Sequence, residues 1–121
     1  MSDEYLPTEH QEQVTLVAFL ELMVASKKIL AFTAIPQNMW TRSIQQKMKA
    51  KREGVRKGFP DLVIVTGKEV IFLEMKRKKK GRVRPEQQIW LDILDNKKTR
   101  SNVCYGSDEA IDYLGSLLKM R

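Results

Sequence analysis

Three side chains able to do acid, base or metal chemistry fall within sixteen residues: Asp61, directly after Pro60, and Glu74 and Lys76, separated by Met75. Residues 62–66 and 70–76 are apolar runs joined by a turn containing Gly67 and Lys68, which reads as a hairpin. Side chains alternate along a strand, so Val70, Phe72, Glu74 and Lys76 share one face while Ile71, Leu73 and Met75 occupy the other. A symmetric turn through Gly67-Lys68 pairs Thr66 with Glu69 and brings Asp61 opposite Glu74, with Cβ atoms about 4.5–5.5 Å apart. Two carboxylates that close repel each other, and a divalent metal held by oxygen ligands, with an ammonium one step along the strand, resolves the repulsion. A three-residue turn would shift the register and abolish the pair. The competing reading makes Asp61 a turn residue and Glu74 and Lys76 a solvated pair. Against it, Leu62, Val63, Ile64, Val65, Ile71, Phe72 and Leu73 predict a central, largely buried hairpin, where charges are costly unless used.

Other elements must position this hairpin. Thr8 with Gln11 three residues on forms a capping box, and Leu16, Val17, Leu20, Met23 and Val24 recur at helical spacing, predicting a helix over 9–26. A short apolar run over 29–35, stopped by Pro36, predicts a strand. A basic helix over about 39–53 ends at Gly54. After the hairpin comes a basic loop over 77–84, then a helix opened by Pro85 with Ile89, Trp90, Ile93 and Leu94 as its apolar face. Residues 102–105 predict a last strand, and Ala110, Ile111, Leu114, Leu117 and Leu118 a last helix, with Gly106 between them. The order α, β, α, β, β, α, β, α implies one α/β domain, a mixed central sheet flanked by helices, over 8–121, with residues 1–7 a flexible N-terminus.

Composition narrows the function class. A chain of 121 residues with 42% hydrophobic and 31% charged residues is an ordinary globular domain rather than a disordered or collagen-like chain. The apolar stretch over 16–25 is interrupted by Glu21 and is too short to span a membrane, and the acidic N-terminus is unlike a secretory signal, so the cytoplasm is the default compartment. The single cysteine, Cys104, allows neither an internal disulfide nor a cysteine-cluster metal site, and it reads as a small apolar residue. The net charge is +7, and all of the excess lies over 41–86, which holds fifteen Lys and Arg against five acids. A concentrated basic segment is the electrostatic footprint of a polyanion, with nucleic acid ahead of an anionic membrane and a merely solubilising surface as the alternative. Few aromatics interleave it, so base stacking is not indicated. Trp40 and Trp90 read as core or interface residues, and His10 as a solvated helix residue.

The chain resembles the PD-(D/E)xK nucleases, and among them the VRR-NUC (virus-type replication-repair nuclease) domain in its stand-alone, phage-encoded form. The ordered blocks that carry the resemblance are Thr8-Glu9-His10-Gln11-Glu12-Gln13, Ile35-Pro36, and Glu53-Gly54-Val55-Arg56-Lys57-Gly58-Phe59-Pro60-Asp61. They continue through Phe72-Leu73-Glu74-Met75-Lys76-Arg77, Gly81-Arg82-Val83-Arg84-Pro85-Glu86-Gln87 and Val103-Cys104-Tyr105-Gly106. The resemblance implies a restriction-endonuclease-like core and phosphodiester hydrolysis assisted by Mg2+ or Mn2+. By similarity Asp61, Glu74 and the backbone carbonyl of Met75 would bind the ion, and Lys76 would orient or activate the attacking water. An acid of the first helix, Glu9 or Glu12, would complete the site. Gln87 would contact the site or the water, its alternative being a helix cap. Gly54 and Gly58 read as turn residues first and as close approaches to phosphate second.

The basic runs then acquire a role. Arg42, Lys47, Lys49, Lys51, Arg52, Arg56 and Lys57 precede the site, and Arg77, Lys78, Lys79, Lys80, Arg82 and Arg84 follow it. Flanking the metal, they would grip backbone phosphates and confer affinity without base sequence. The expected activity is a metal-dependent endonuclease on DNA, by analogy on branched forms such as flaps or Holliday junctions. The two-fold symmetry of a four-way junction suits a homodimer. The competing class is a DNA-binding module on the same fold without chemistry; a sequence-specific nuclease would need a recognition region that 121 residues do not offer.

Overall fold

The structure, a computed structural model, describes residues 5–36 and 43–119. The predicted order of elements is the observed one: α1 (Glu9–Ala25), β1 (Ala31–Ala34), α2 (Ile44–Arg52), β2 (Leu62–Val65), β3 (Val70–Lys76), α3 (Pro85–Leu94), β4 (Thr99–Tyr105) and α4 (Ser107–Leu117). The four strands form one mixed sheet in the order β1-β2-β3-β4, antiparallel from β1 to β3 and parallel between β3 and β4. The two central strands are therefore the predicted hairpin.

The alternation of side chains on β3 divides the molecule. Ile71, Leu73 and Met75 are fully buried on one face with Leu16 and Leu20 of α1, Cys104 of β4, and Ala110 and Leu114 of α4. Each leucine, isoleucine or methionine side chain so removed from water contributes about 1.5–3 kcal/mol, so this layer holds the sheet against α1 and α4. Phe72 lies on the other face, where Phe59 stacks edge-on between it and Trp90 of α3, at ring centroid distances of 5.6 and 5.0 Å. Trp90 Nε1 also donates to the Lys57 carbonyl. This aromatic brace ties α3 and the 54–60 loop to the face of β3 that carries Glu74.

Several boundaries differ from expectation for local reasons. The strand expected over 29–35 narrows to β1, with Leu30 and Ile35 donating from its two ends to the carbonyls of Val65 and Asp61. Of the basic helix, the described residues hold α2 from Ile44, where Ser43 is extended and its hydroxyl accepts from the Gln46 amide as a side-chain cap. Met39, Trp40 and Arg42 lie outside the described residues. β4 begins at Thr99, three residues early, since Asn96 closes a turn onto Thr99 and the Ser101 hydroxyl bonds the Leu91 carbonyl of α3. The apolar face expected on α3 is rotated: Ile89 and Ile93 are 60% and 59% exposed, while Leu91 is buried and Gln87, Trp90 and Leu94 flank it. Helical spacing alone could not choose between the 89–93 and 87–91–94 stripes. Among the described residues no helix is long and apolar enough to cross a membrane.

Candidate metal centre

The register of the hairpin decides whether the carboxylates meet. Leu62 pairs with Leu73, Val63 with Phe72, Ile64 with Ile71 and Val65 with Val70, and the Thr66 amide bonds the Glu69 carbonyl across the two-residue turn. Continued one residue, this register sets Asp61 opposite Glu74 on the Phe72 face. Asp61 then reaches across the hairpin, its Oδ2 accepting from the Met75 amide at 2.8 Å. That bond fixes the carboxylate over the strand end that carries Glu74 and Lys76.

All three side chains are withdrawn from water: Asp61 is 7% exposed, Glu74 2% and Lys76 7%. Glu74 Oε2 is 3.3 Å from Lys76 Nζ and accepts from Gln87 Nε2 at 3.1 Å, while its Oε1 is buried with no partner. Burial, reinforced by the neighbouring Asp61 charge, pushes the Glu74 carboxyl up to about 8 despite Lys76. Burial likewise raises Asp61. One ammonium is too little positive charge for two buried carboxylates, and the surplus favours either a shared proton or a cation.

A divalent ion fits what is present. Glu74 Oε1 is a buried acceptor with nothing to accept from, and the donor set is all oxygen, as Mg2+ and Mn2+ prefer. Among the described residues no three His, Cys, Asp or Glu side chains converge as a metal cage. Two carboxylates with the remaining positions left to a backbone carbonyl, water and phosphate oxygens are how Mg2+ is commonly held at phosphate chemistry.

The two acids of α1 part company. Glu12 is 3% exposed and turned to α4, its Oε1 accepting from the Ser107 amide at 2.9 Å and hydroxyl at 2.8 Å. Glu9, in the first turn, is more open, and its carboxyl is raised by burial first and next by the charge of Asp61, with Lys76 and Arg84 opposing. Of the two, Glu9 is the acid whose carboxyl is raised in part by the charge of Asp61.

Gln87 takes both of the roles weighed for it. Its Oε1 accepts from the Arg84 amide as the cap of α3, and its Nε2 holds Glu74. Gly58 has a φ of +98°, and a Cβ there would lie 2.7 Å from the Glu86 carbonyl oxygen, so only glycine lets the 54–60 loop press onto the start of α3. Gly81 serves the basic loop: a Cβ would lie 2.7 Å from that of Lys76. Gly54, also at positive φ, is a turn residue with open space around it, as its first reading had it.

The basic residues are not equivalent. Arg52, Arg82 and Arg84 are exposed, as are Lys57, at the α3 end of the loop 3.8 Å from Glu86, and Lys79 and Lys80. Arg56 bonds the carbonyls of Lys51 and Val55, and Lys78 is 3.4 Å from Asp108. Arg77 is not among the exposed set; its guanidinium is directed at the carbonyls of Leu6 and Pro7. His10 is exposed, Trp90 half-buried, and Cys104 fully buried with its thiol pushed up to about 12 by burial. Ser107 escaped notice in the sequence because its partner, Glu12, lies 95 residues away.

The VRR-NUC domain family matches residues 4–108 of this chain. A solved structure described as a VRR_NUC domain protein superposes with a TM-score of 0.75, covering 97% of this chain and 93% of that one at 20% sequence identity, and so shares the fold. A comparison with curated proteins finds no match. With most of its length matched, and the expected sheet and helices in place, the chain belongs to the VRR-NUC family of nuclease-type, DNA-processing domains.

Proposed function

We propose that the protein is a Mg2+- or Mn2+-dependent endonuclease that hydrolyses phosphodiester bonds in DNA, with branched structures such as flaps or Holliday junctions as substrate. The observation that carries this reading is the buried Asp61–Glu74 pair with an unpartnered Glu74 oxygen beside Lys76. Asp61, Glu74 and the Met75 carbonyl would hold the ion, and Glu9 would reach it through water. The bound ion supplies neutralisation of charge on the scissile phosphate and a more acidic water.

The protein's own groups do the rest. The Met75 amide and Gln87 Nε2 fix the orientations of Asp61 and Glu74 before substrate arrives. The Lys76 ammonium, beside Glu74, would orient the attacking water and stabilise negative charge as the water oxygen bonds to phosphorus and the phosphorus–oxygen bond to the leaving strand breaks, that strand's oxygen taking up a proton from solvent. Arg52, Arg56, Lys57, Lys78, Lys79, Lys80, Arg82 and Arg84 contact phosphates on either side, which reads DNA shape rather than base sequence. A homodimer matches the two-fold symmetry of a four-way junction, and the exposed Ile89 and Ile93 give α3 an apolar strip on which two copies can meet.

The test is cleavage of end-labelled four-way junction, flap, single-stranded and linear duplex DNA with Mg2+, Mn2+ or EDTA, by wild type, Glu74→Ala and Lys76→Ala. Cutting should require metal, favour a branched substrate, and fall by about 10²–10³-fold or more in each variant while DNA binding persists. Tight binding with no cutting on any substrate would make the protein a DNA-binding module instead.

A further inference from the structure

The first member of the basic run after the hairpin reaches far along the chain, whereas Arg82 bonds the carbonyls of its own loop, at Gly81 and Lys79. Arg77 follows Lys76 directly, and its guanidinium donates from Nε to the Pro7 carbonyl at 3.0 Å and from Nη2 to the Leu6 carbonyl at 2.9 Å. Such a two-pronged, charge-assisted contact is directional, and a single point charge cannot reproduce it. The two carbonyls immediately precede Thr8, the cap of α1, so Arg77 fastens the approach to that helix onto the end of the strand bearing Glu74 and Lys76.

A second tie lies one turn further along α1. Glu12 holds the Ser107 amide and hydroxyl, and the adjacent Gly106 amide donates to the Lys76 carbonyl. Glu9, in the first turn of α1, sits along the chain between the two ties, the Leu6 and Pro7 carbonyls before it and Glu12 after it. Helix ends fray unless they are held, and Glu9 is the first helical residue. The Thr8–Gln11 capping box closes the first turn on itself, and the Arg77 contact is what ties that turn to the end of β3.

We propose that Arg77 is a positioning residue of the metal centre: its guanidinium clamps residues 6 and 7 to the end of β3 and so holds the first turn of α1, which carries Glu9, against the strand end that bears Glu74 and Lys76, rather than gripping a DNA phosphate. The proposal rests on the metal-centre reading given above. It separates Arg77 from Lys80 and Arg82, three and five residues on in the same basic run.

Two measurements on the intact protein test it: Mn2+ binding by titration calorimetry without DNA, and the salt dependence of DNA binding in EDTA, where nothing is cut. Arg77→Ala and Arg77→Lys should each weaken Mn2+ binding about tenfold, as Glu9→Gln does, because lysine keeps the charge but loses the fork. The Glu9→Gln/Arg77→Ala double variant should bind Mn2+ no more weakly than Glu9→Gln alone. Arg77→Ala should leave the salt slope unchanged, whereas Lys80→Ala should reduce it by about 0.9. A reduced slope with Mn2+ binding intact would make Arg77 a phosphate contact and overturn the proposal. Wild-type Mn2+ affinity in Arg77→Lys, or additive losses in the double variant, would overturn it as well. If Arg77→Ala does not fold, Arg77→Lys carries the metal measurement alone. A wild-type protein that binds no Mn2+ would bring down the metal-centre reading itself, a result distinct from wild-type binding that Arg77 does not influence.

Discussion

Glu12 and Glu74 are both almost fully buried, and each has one carboxylate oxygen without a partner, yet their surroundings differ in kind. Glu12 meets the N-terminus of α4, where a backbone amide and a hydroxyl point at it and the helix dipole favours negative charge. Glu74 meets Asp61, a second carboxylate, and its contacts with Lys76 and Gln87 leave the pair short of positive charge. Burial of a carboxylate is thus no sign of function by itself. What marks Glu74 is a neighbour that makes its charge worse.

The largest expected consequence is a pH dependence of stability in the metal-free protein. With its carboxyl raised to about 8, Glu74 in the folded state keeps a proton that the unfolded chain releases near 4.5. Folding therefore binds more protons than unfolding between those values. The stabilisation is complete below about pH 4.5, declines as pH rises, and is gone above about 8, with a slope of up to about 1.4 kcal/mol per pH unit. Glu9 and Asp61 are raised too, so they act in the same direction. Thermal melts in EDTA should show wild type losing stability from pH 5 to 8, and Glu74→Gln should remove most of that slope. Saturating Mn2+ should remove it too, since a bound cation replaces the proton. A flat wild-type profile in EDTA would mean that the two carboxylates do not burden each other.

Glu12 should matter to stability rather than to the metal. Glu12→Ala leaves the Ser107 amide and hydroxyl without their acceptor, and Gly106, the cap residue of α4, has no side chain to replace it. Denaturant melts should show a loss of about 2 kcal/mol, largely independent of metal. Glu12→Gln, which keeps one acceptor oxygen, should lose less. A Glu12 variant that abolished Mn2+ binding without destabilising the protein would reverse the assignment of the two α1 acids.

The legibility of these features in the sequence followed their range. The Gly67-Lys68 turn fixed the hairpin register locally, and the observed pairs from Leu62–Leu73 to Val65–Val70 keep the register that sets Asp61 opposite Glu74 when continued by one residue. The capping boxes at Thr8 and Gln87 were equally local. What escaped was non-local or rotational. Glu12 and Ser107 join the two ends of the chain, Arg77 bends back 70 residues to Pro7, and the stripe that α3 buries depends on the aromatic brace beneath it. In a run of charge such as 77–84, sequence gives each cation the same reading, and only the fold separates the inward arginine from the exposed lysines.

The smallest effect belongs to Gln87, which joins the two kinds of region because it caps a helix with one end and touches Glu74 with the other. Gln87→Ala removes both contacts, whereas Gln87→Glu keeps the capping oxygen and turns the end facing Glu74 into a further negative charge. If the cap were all that mattered, the glutamate variant would cut DNA like wild type and only the alanine variant would lose stability, by about 1 kcal/mol. If the contact with Glu74 is what matters, both variants lose roughly tenfold or more in cleavage rate, and the glutamate variant is the worse of the two although it is the better cap. Cleavage rates set beside melting temperatures for the pair distinguish these cases. The ordering of the two variants carries the answer, because the charge that improves a helix start is the charge that the Asp61–Glu74 pair can least accommodate.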